Sequence, residues 1–233
     1  MIISPGNFKQ NVVFPTVFCK NGSGIIPGIY EKQLVDYSLQ FIKPGTNVID
    51  IGAHSGSWTL FLAKKANKVY SFEAQRMKYY QLCGNIAINE LNNVYAYNTG
   101  LGSPSQRGTT EEMMLYGIDY GSSSMTPSAI KNFKEKNVPI KDIEKIKIKC
   151  LDDYQLDNVS LIKIDVEGFE LNVLKGSTNL LEKCKPIIII EIWSDPFFRK
   201  QKEELINWIK NNNYNISQLN WSDMFICKHK NSI

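Results

Sequence analysis

The sequence is poor in histidine, with only His54 and His229, so a histidine-rich zinc site is not expected. Its five cysteines (Cys19, Cys83, Cys150, Cys184 and Cys227) are odd in number and widely spaced, with no C-x-x-C. That usage fits reduced thiols in a cytoplasmic protein better than a disulfide framework. Long apolar runs are also missing: the longest purely aliphatic stretch, residues 187–190, is far too short to span a bilayer. Met1-Ile2-Ile3-Ser4-Pro5-Gly6 lacks the basic and then apolar order of a signal peptide. The 27 Lys and Arg stand against 23 Asp and Glu, and they are scattered rather than gathered into a basic stripe with aromatics between. A solvated surface is therefore expected, and no nucleic-acid footprint.

What is present is a regular alternation. At 43% hydrophobic residues, 233 residues can bury a sizeable core, and one domain over 1–233 is the simpler expectation, with an N-terminal extension over 1–29. Leu34, Tyr37 and Phe41 recur near the helical period within 30–42, where Lys43-Pro44-Gly45 stops the segment. Strands are expected at 47–51, 68–72 and 94–98, and helices at 57–66 and 77–89. The pattern lapses over 100–140, a Gly/Ser/Thr-rich passage including Gly121-Ser122-Ser123-Ser124, which is expected to be an irregular loop or lid with a short helix near 128–136. Ile146, Ile148 and Cys150 alternate with lysines, as in a strand buried on one side. Further strands are expected at 160–165 and 185–192 with a helix at 169–177 between them, then a helix at 202–212. Segments 214–219 and 223–228 are joined by too short a turn for a crossover and should pair antiparallel. Repeated β-α-β units imply a mostly parallel sheet with helices on both faces.

In such a sheet, ligands bind beyond the carboxyl ends of the strands, where the strand order reverses. The first turn reads Asp50-Ile51-Gly52-Ala53-His54-Ser55-Gly56. It differs from the dinucleotide fingerprint because His54 occupies the middle glycine position, where a pyrophosphate needs bare backbone. A small ligand with a carboxylate and an ammonium asks for less: Gly52 and Gly56 under it, helix-start N–H groups, and Asp50 as the acid. Glu73 follows Gly52 by 21 residues, at the end of the next strand, where a carboxylate can accept hydrogen bonds from both ribose hydroxyls. His54 is expected to pack beside the ligand rather than act as a base.

A second cluster lies in Lys163-Ile164-Asp165-Val166-Glu167-Gly168. Strand alternation puts Lys163, Asp165 and the start of Glu167 on one side, and Glu191 adds an acid at the end of the following strand. The order of motifs resembles the FkbM family of methyltransferases. The residues concerned are Gly28-Ile29-Tyr30-Glu31, then 49–56, then Phe72-Glu73-Ala74, then Leu151-Asp152-Asp153. They continue with Leu161-Ile162-Lys163-Ile164-Asp165-Val166-Glu167-Gly168-Phe169-Glu170, Val173-Leu174-Lys175-Gly176 and Ile190-Glu191. Two departures stand out: His54 replaces the usual Asn, and Ala74-Gln75 replaces a common Pro-containing pair.

The resemblance implies a seven-stranded Rossmann-like α/β sheet, the class I methyltransferase fold, ending in an antiparallel hairpin. It also implies S-adenosylmethionine as donor, S-adenosylhomocysteine as product, and hydroxyl acceptors on sugars, glycans or secondary metabolites. The cofactor is then expected to meet Glu31, Asp50, Gly52, Ala53, His54 and Ser55. Gly56, Thr59, Glu73, Ala74, Gly100 and Asp165 complete that set. Asp165, or failing that Glu167, is the expected general base, with Lys163 and Glu191 toward the acceptor. No metal is assigned, although the same acids suit a divalent cation. RNA ribose methylation, an NAD-linked oxidoreductase and a non-catalytic cofactor-binding module stay open as alternatives.

Overall fold

In the computed structural model, residues 31–116, 123–220 and 223–231 are described. The expected N-terminal extension, most of the Gly28-Ile29-Tyr30-Glu31 motif, Cys19, Tyr120, Gly121-Ser122 and Trp221 lie outside them. The chain opens with α1 (Lys32–Leu39) and β1 (Asn47–Ile51), followed by α2 (Thr59–Leu62), β2 (Val69–Glu73), α3 (Arg76–Ile88) and β3 (Val94–Asn98). Next come β4 (Gly100–Leu101), β5 (Thr110–Tyr116), α4 (Pro127–Glu135) and β6 (Ile140–Lys149). The rest is β7 (Val159–Ile164), α5 (Glu170–Lys175), α6 (Thr178–Cys184), β8 (Ile187–Glu191), α7 (Arg199–Asn211), β9 (Tyr214–Gln218) and β10 (Met224–His229).

Seven strands form one sheet in the order β3-β2-β1-β7-β8-β10-β9. The first five in that order run parallel, and β10 inserts antiparallel between β8 and β9, so the expected C-terminal pairing is present. The order reverses between β1 and β7, which makes that pair the switch point. Every residue of β1 and β7 is buried, as strands covered on both faces must be. Ile49, Ile51, Ile162, Ile164, Ile188 and Ile190 pack on one face with Leu205 and Ile209 of α7. Val48, Leu161 and Ile189 face the other way, against Leu34 and Val35 of α1 and Leu62 of α2. Each fully buried aliphatic side chain of this kind stabilises the fold by about 1.5–3 kcal/mol.

Three expectations change. Residues 100–140 are not an irregular loop throughout. β5 pairs antiparallel with β6, and β4 pairs parallel with it, giving a small three-stranded sheet. Met113, Leu115, Ile146 and Ile148 form its apolar contact, with Ala74 packed against them, which fixes this sheet beside Glu73. The helix expected over 169–177 is α5, which stops at Gly176, where a Cβ would lie 2.0 Å from the Gly102 carbonyl oxygen, and a further helix not expected from the sequence, α6, follows it. The helix expected over 57–66 has only α2 as regular α-helix. Phe61, Lys64 and Lys65 donate to carbonyls three residues back, the tighter winding of a 3₁₀ turn. Among the described residues no helix is long and apolar enough to cross a membrane.

Candidate active site

The turn after β1 is shaped by its neighbour on β7. Gly52 has φ +75°, and a Cβ there would lie 1.7 Å from the Asp165 carbonyl oxygen, so no other residue fits without moving β7. The Gly52 and Ala53 N–H groups both donate to the Phe72 carbonyl, at 2.9 and 3.0 Å. His54 follows with φ +51°, which turns its N–H onto Glu73 Oε2 at 2.7 Å. Gln75 N–H donates to Glu73 Oε1, also at 2.7 Å. Glu73 is therefore clamped at both oxygens while each keeps a lone pair free. Burial still dominates over these two donors and pushes its pKa up to about 7. The Ser55 carbonyl accepts from Asn85 of α3 at 2.7 Å, and the Gly56 N–H closes the turn on the Ala53 carbonyl.

Beneath the turn, register across the switch point sets Asp50 opposite Lys163 and, on its other side, opposite Ser71. Lys163 Nζ lies 2.8 Å from the Gly52 carbonyl oxygen, 3.6 Å from Asp50 Oδ1 and 3.4 Å from Asp165 Oδ2. Asp50 Oδ2 accepts from Thr59 Oγ1 at 2.6 Å, and Thr59 Oγ1 meets Ser71 Oγ at 2.8 Å. Burial opposes the Lys163 charge, but Asp165, Asp50 and Glu31 outweigh it and hold its pKa above the ordinary lysine value. Asp50 is displaced upward by burial despite Lys163 and Thr59. Asp50 and Thr59 are fully buried and Lys163 is 3% exposed, so all three lie beneath the turn and brace it from below. Glu31 enters from the start of α1, where its Oε2 accepts from Trp58 Nε1 at 3.0 Å; burial raises its pKa.

Beyond β7 the chain turns through two left-handed residues, Glu167 (φ +54°) and Gly168 (φ +94°). Glu170 stabilises that turn, its Oε1 accepting from Gly168 N–H at 3.0 Å and Val166 N–H at 3.3 Å. Burial moves Glu170 to about 7 as well. Ser124 Oγ donates to the Glu167 carbonyl at 2.7 Å, which ties the segment between β5 and α4 to the turn. Asp165, Glu167 and Glu191 each bring a carboxylate oxygen within 4.8 Å of the others, and all three are partly buried. Burial, then the neighbouring carboxylates, raise Glu167 well above the usual range and Glu191 to about 9. Glu191 Oε2 also accepts from Trp193 Nε1 at 3.1 Å.

The expected site residues are thus largely gathered at one edge of the sheet. Gly100 differs: a Cβ there would meet Ile148 and Ile146 at 2.7 and 2.8 Å, so its smallness is accounted for by packing on β6. Ala74 faces the small sheet. Glu170 and Ser124 carry parts that spacing did not disclose; the i+3 acid after a Glu-Gly pair was the available signal for Glu170. Trp58 and Tyr116 are buried core, while Trp193 is partly exposed beside Glu191.

Strand order, the glycine turn with its clamped acid, and an acidic cluster after β7 define a class I methyltransferase. Residues 50–216 match the methyltransferase FkbM domain, well over half of the chain, and the protein belongs to the FkbM family of S-adenosylmethionine-dependent methyltransferases. Methyltransferase sdnD of Sordaria araneosa is 26% identical over 207 residues, covering 76% of this chain and 79% of that protein. Methyltransferase 1 of Beauveria bassiana is 25% identical over 166 residues, covering 64% and 66%. The crystal structure of methyltransferase FkbM from Methylobacillus flagellatus KT superposes with a TM-score of 0.54 at 18% identity. It aligns with 84% of this chain, which spans half the length of that one.

Proposed function

We propose that this protein methylates a hydroxyl group of a small molecule, a sugar or glycan or a secondary metabolite, with Asp165 as general base. The observation that carries the reading is the convergence of Asp165, Glu167 and Glu191 at the carboxyl edge of the switch point. The residues present fit S-adenosylmethionine: Glu73 offers two anchored oxygens with free lone pairs to a ribose, and the Gly52 turn presents bare backbone. When bound, the cofactor supplies a methyl carbon activated by its sulfonium. Glu73 and the turn from Ala53 to Gly56 bind and orient it, and Glu31 adds an acid at the same edge.

The chain's own chemistry is then alignment and proton transfer. As the new C–O bond forms and the C–S bond breaks, the hydroxyl proton passes to a carboxylate. Asp165 is the member of the trio with a cation beside it, and Lys163 positions it from below. Glu191, raised to about 9 by burial and the neighbouring carboxylates, holds a proton at neutral pH and donates a hydrogen bond to an acceptor oxygen, and burial moves Glu167 in the same direction. Trp193 offers a face on which a sugar or ring can stack.

The test is labelled-methyl transfer from S-adenosylmethionine to a panel of sugars and hydroxylated metabolites, with capped RNA included. Asp165→Asn should lower kcat by about 100- to 10,000-fold while S-adenosylhomocysteine binding stays within a fewfold. Full turnover in that variant removes Asp165 as base. The same trio favours a second reading, a divalent cation that positions the acceptor, since three hard oxygens within 4.8 Å of one another suit Mg²⁺. Activity that survives exhaustive EDTA treatment eliminates it.

A further inference from the structure

The opposite edge of the same sheet carries a cleft of about 540 Å³ that the methyl-transfer chemistry does not use. Its walls come from the approach to β1 (Phe41, Lys43, Thr46), the start of β7 (Asn158, Val159, Ser160), and the start of β8 with the residues before it. Lys228 of β10 closes it. Ser160 and Asp165 lie at opposite ends of β7, about 16 Å apart at roughly 3.3 Å per residue, so the cleft is separate from the acidic cluster.

Four of its lining residues are lysines, Lys43, Lys183, Lys185 and Lys228, all exposed, and none of its lining residues is Asp or Glu. Among the described residues none of these four ammonium groups is within ion-pair distance of a carboxylate. Asp157 and Glu182 adjoin lining residues in the chain but are not themselves part of the lining. Residues 1–30 contain no Asp or Glu, so that stretch offers no carboxylate side chain either. The field is felt by its neighbours: His229 is displaced downward by burial and then by Lys185 and Lys230. Like charges lining one cleft without carboxylate partners are the complement of a multiply charged anion, and lysine binds phosphate as a point charge.

The rest of the lining adds shape and polarity. Thr46 Oγ1 and Ser160 Oγ lie 2.6 Å apart, and Ser160 Oγ accepts from Lys43 N–H at 3.4 Å. Apolar wall comes from Phe41, Val159, Cys184 and Ile187, with Lys228 Nζ 5.4 Å from the Phe41 ring centroid. A bare anion needs neither this volume nor this wall, whereas 300–1,000 Å³ is the range of organic-ligand sites.

We infer that the amino-terminal edge of the sheet is a second ligand site, for a small phosphorylated molecule of nucleoside-diphosphate size whose phosphates meet the four lysines. It does not depend on the identity of the methyl acceptor.

Calorimetric titration of the full chain at low salt, with S-adenosylhomocysteine present, tests it using UDP, uridine and inorganic phosphate as probes. UDP should bind, and uridine should not. The affinity should fall as salt is added. Lys183→Glu/Lys228→Glu should weaken UDP at least about tenfold, with Lys43→Gln as a milder second variant that weakens it less. Glu73→Gln, at the other edge, should leave UDP binding unchanged. The inference is overturned if wild type does not bind UDP, or if the lysine variants bind it as well as wild type. It is equally overturned if Glu73→Gln abolishes binding, or if inorganic phosphate binds as tightly as UDP.

Discussion

The two edges of one sheet carry opposite charge in opposite surroundings. At the carboxyl edge, acids are buried around a single ammonium, Lys163, and burial raises Glu73, Glu170 and Glu191. At the amino edge, among the described residues, four lysines stand exposed in a cleft whose lining holds no carboxylate. Charges taken out of water depend on each other for stability, while charges left in water depend mainly on solvent. The acidic edge should therefore be rigid, sensitive to substitution and responsive to pH. The basic edge should tolerate substitution and respond to salt.

The largest effect is expected for Lys163→Met, which leaves Asp50 buried with no cation. Denaturant unfolding should show a loss of about 3–5 kcal/mol. A loss under 1 kcal/mol would mean that Asp50 is held neutral and that the edge does not depend on Lys163. Gly52→Ala comes next, because its Cβ collides with the β7 backbone; about 3 kcal/mol of stability should disappear, read by the same unfolding curves.

The pH response follows from the raised acids. An unfolded chain releases these protons near 4.5, whereas the folded protein holds them to about 7 at Glu73 and Glu170 and about 9 at Glu191. Between those values the folded state binds more protons, so their stabilisation is complete below about 4.5 and is lost as pH rises to 9. The melting temperature of the ligand-free protein should fall from pH 5 to pH 9, and Glu191→Gln should flatten the part above pH 7. A rising curve there would contradict the burial argument. Smallest of all, Lys228→Ala at the basic edge should shift stability by no more than about 0.5 kcal/mol.

Much of the carboxyl edge is legible in the sequence. β8 announces itself as a continuous apolar run, and β1 and β7 as mainly apolar segments interrupted by Asp50 and by Ser160 and Lys163, because both faces of a parallel strand are covered. Asp50, Asp165 and Glu191 sit at or near the ends of those strands and Glu73 ends β2, so naming the strands nearly names the site. The small sheet was not legible. In β5 the doublets Glu111-Glu112 and Met113-Met114 blur the alternation, and its partner β6 begins 24 residues after β5 ends. Residues 187–190 read as a strand, yet nothing local shows that lysines from before β1, before β8 and within β10 share one cleft.

The sequence by itself determined the fold class, the glycine turn and the residue types at the carboxyl edge, because periodicity and turn chemistry are local. Only the tertiary structure decided which acids are fully buried beneath the turn and which stand partly exposed at its edge. Asp50 and Lys163 are 113 positions apart, and their pairing depends on the register of β1 against β7. The protonation of Glu167 and Glu191 depends likewise on how deeply the packed chain withdraws them from water.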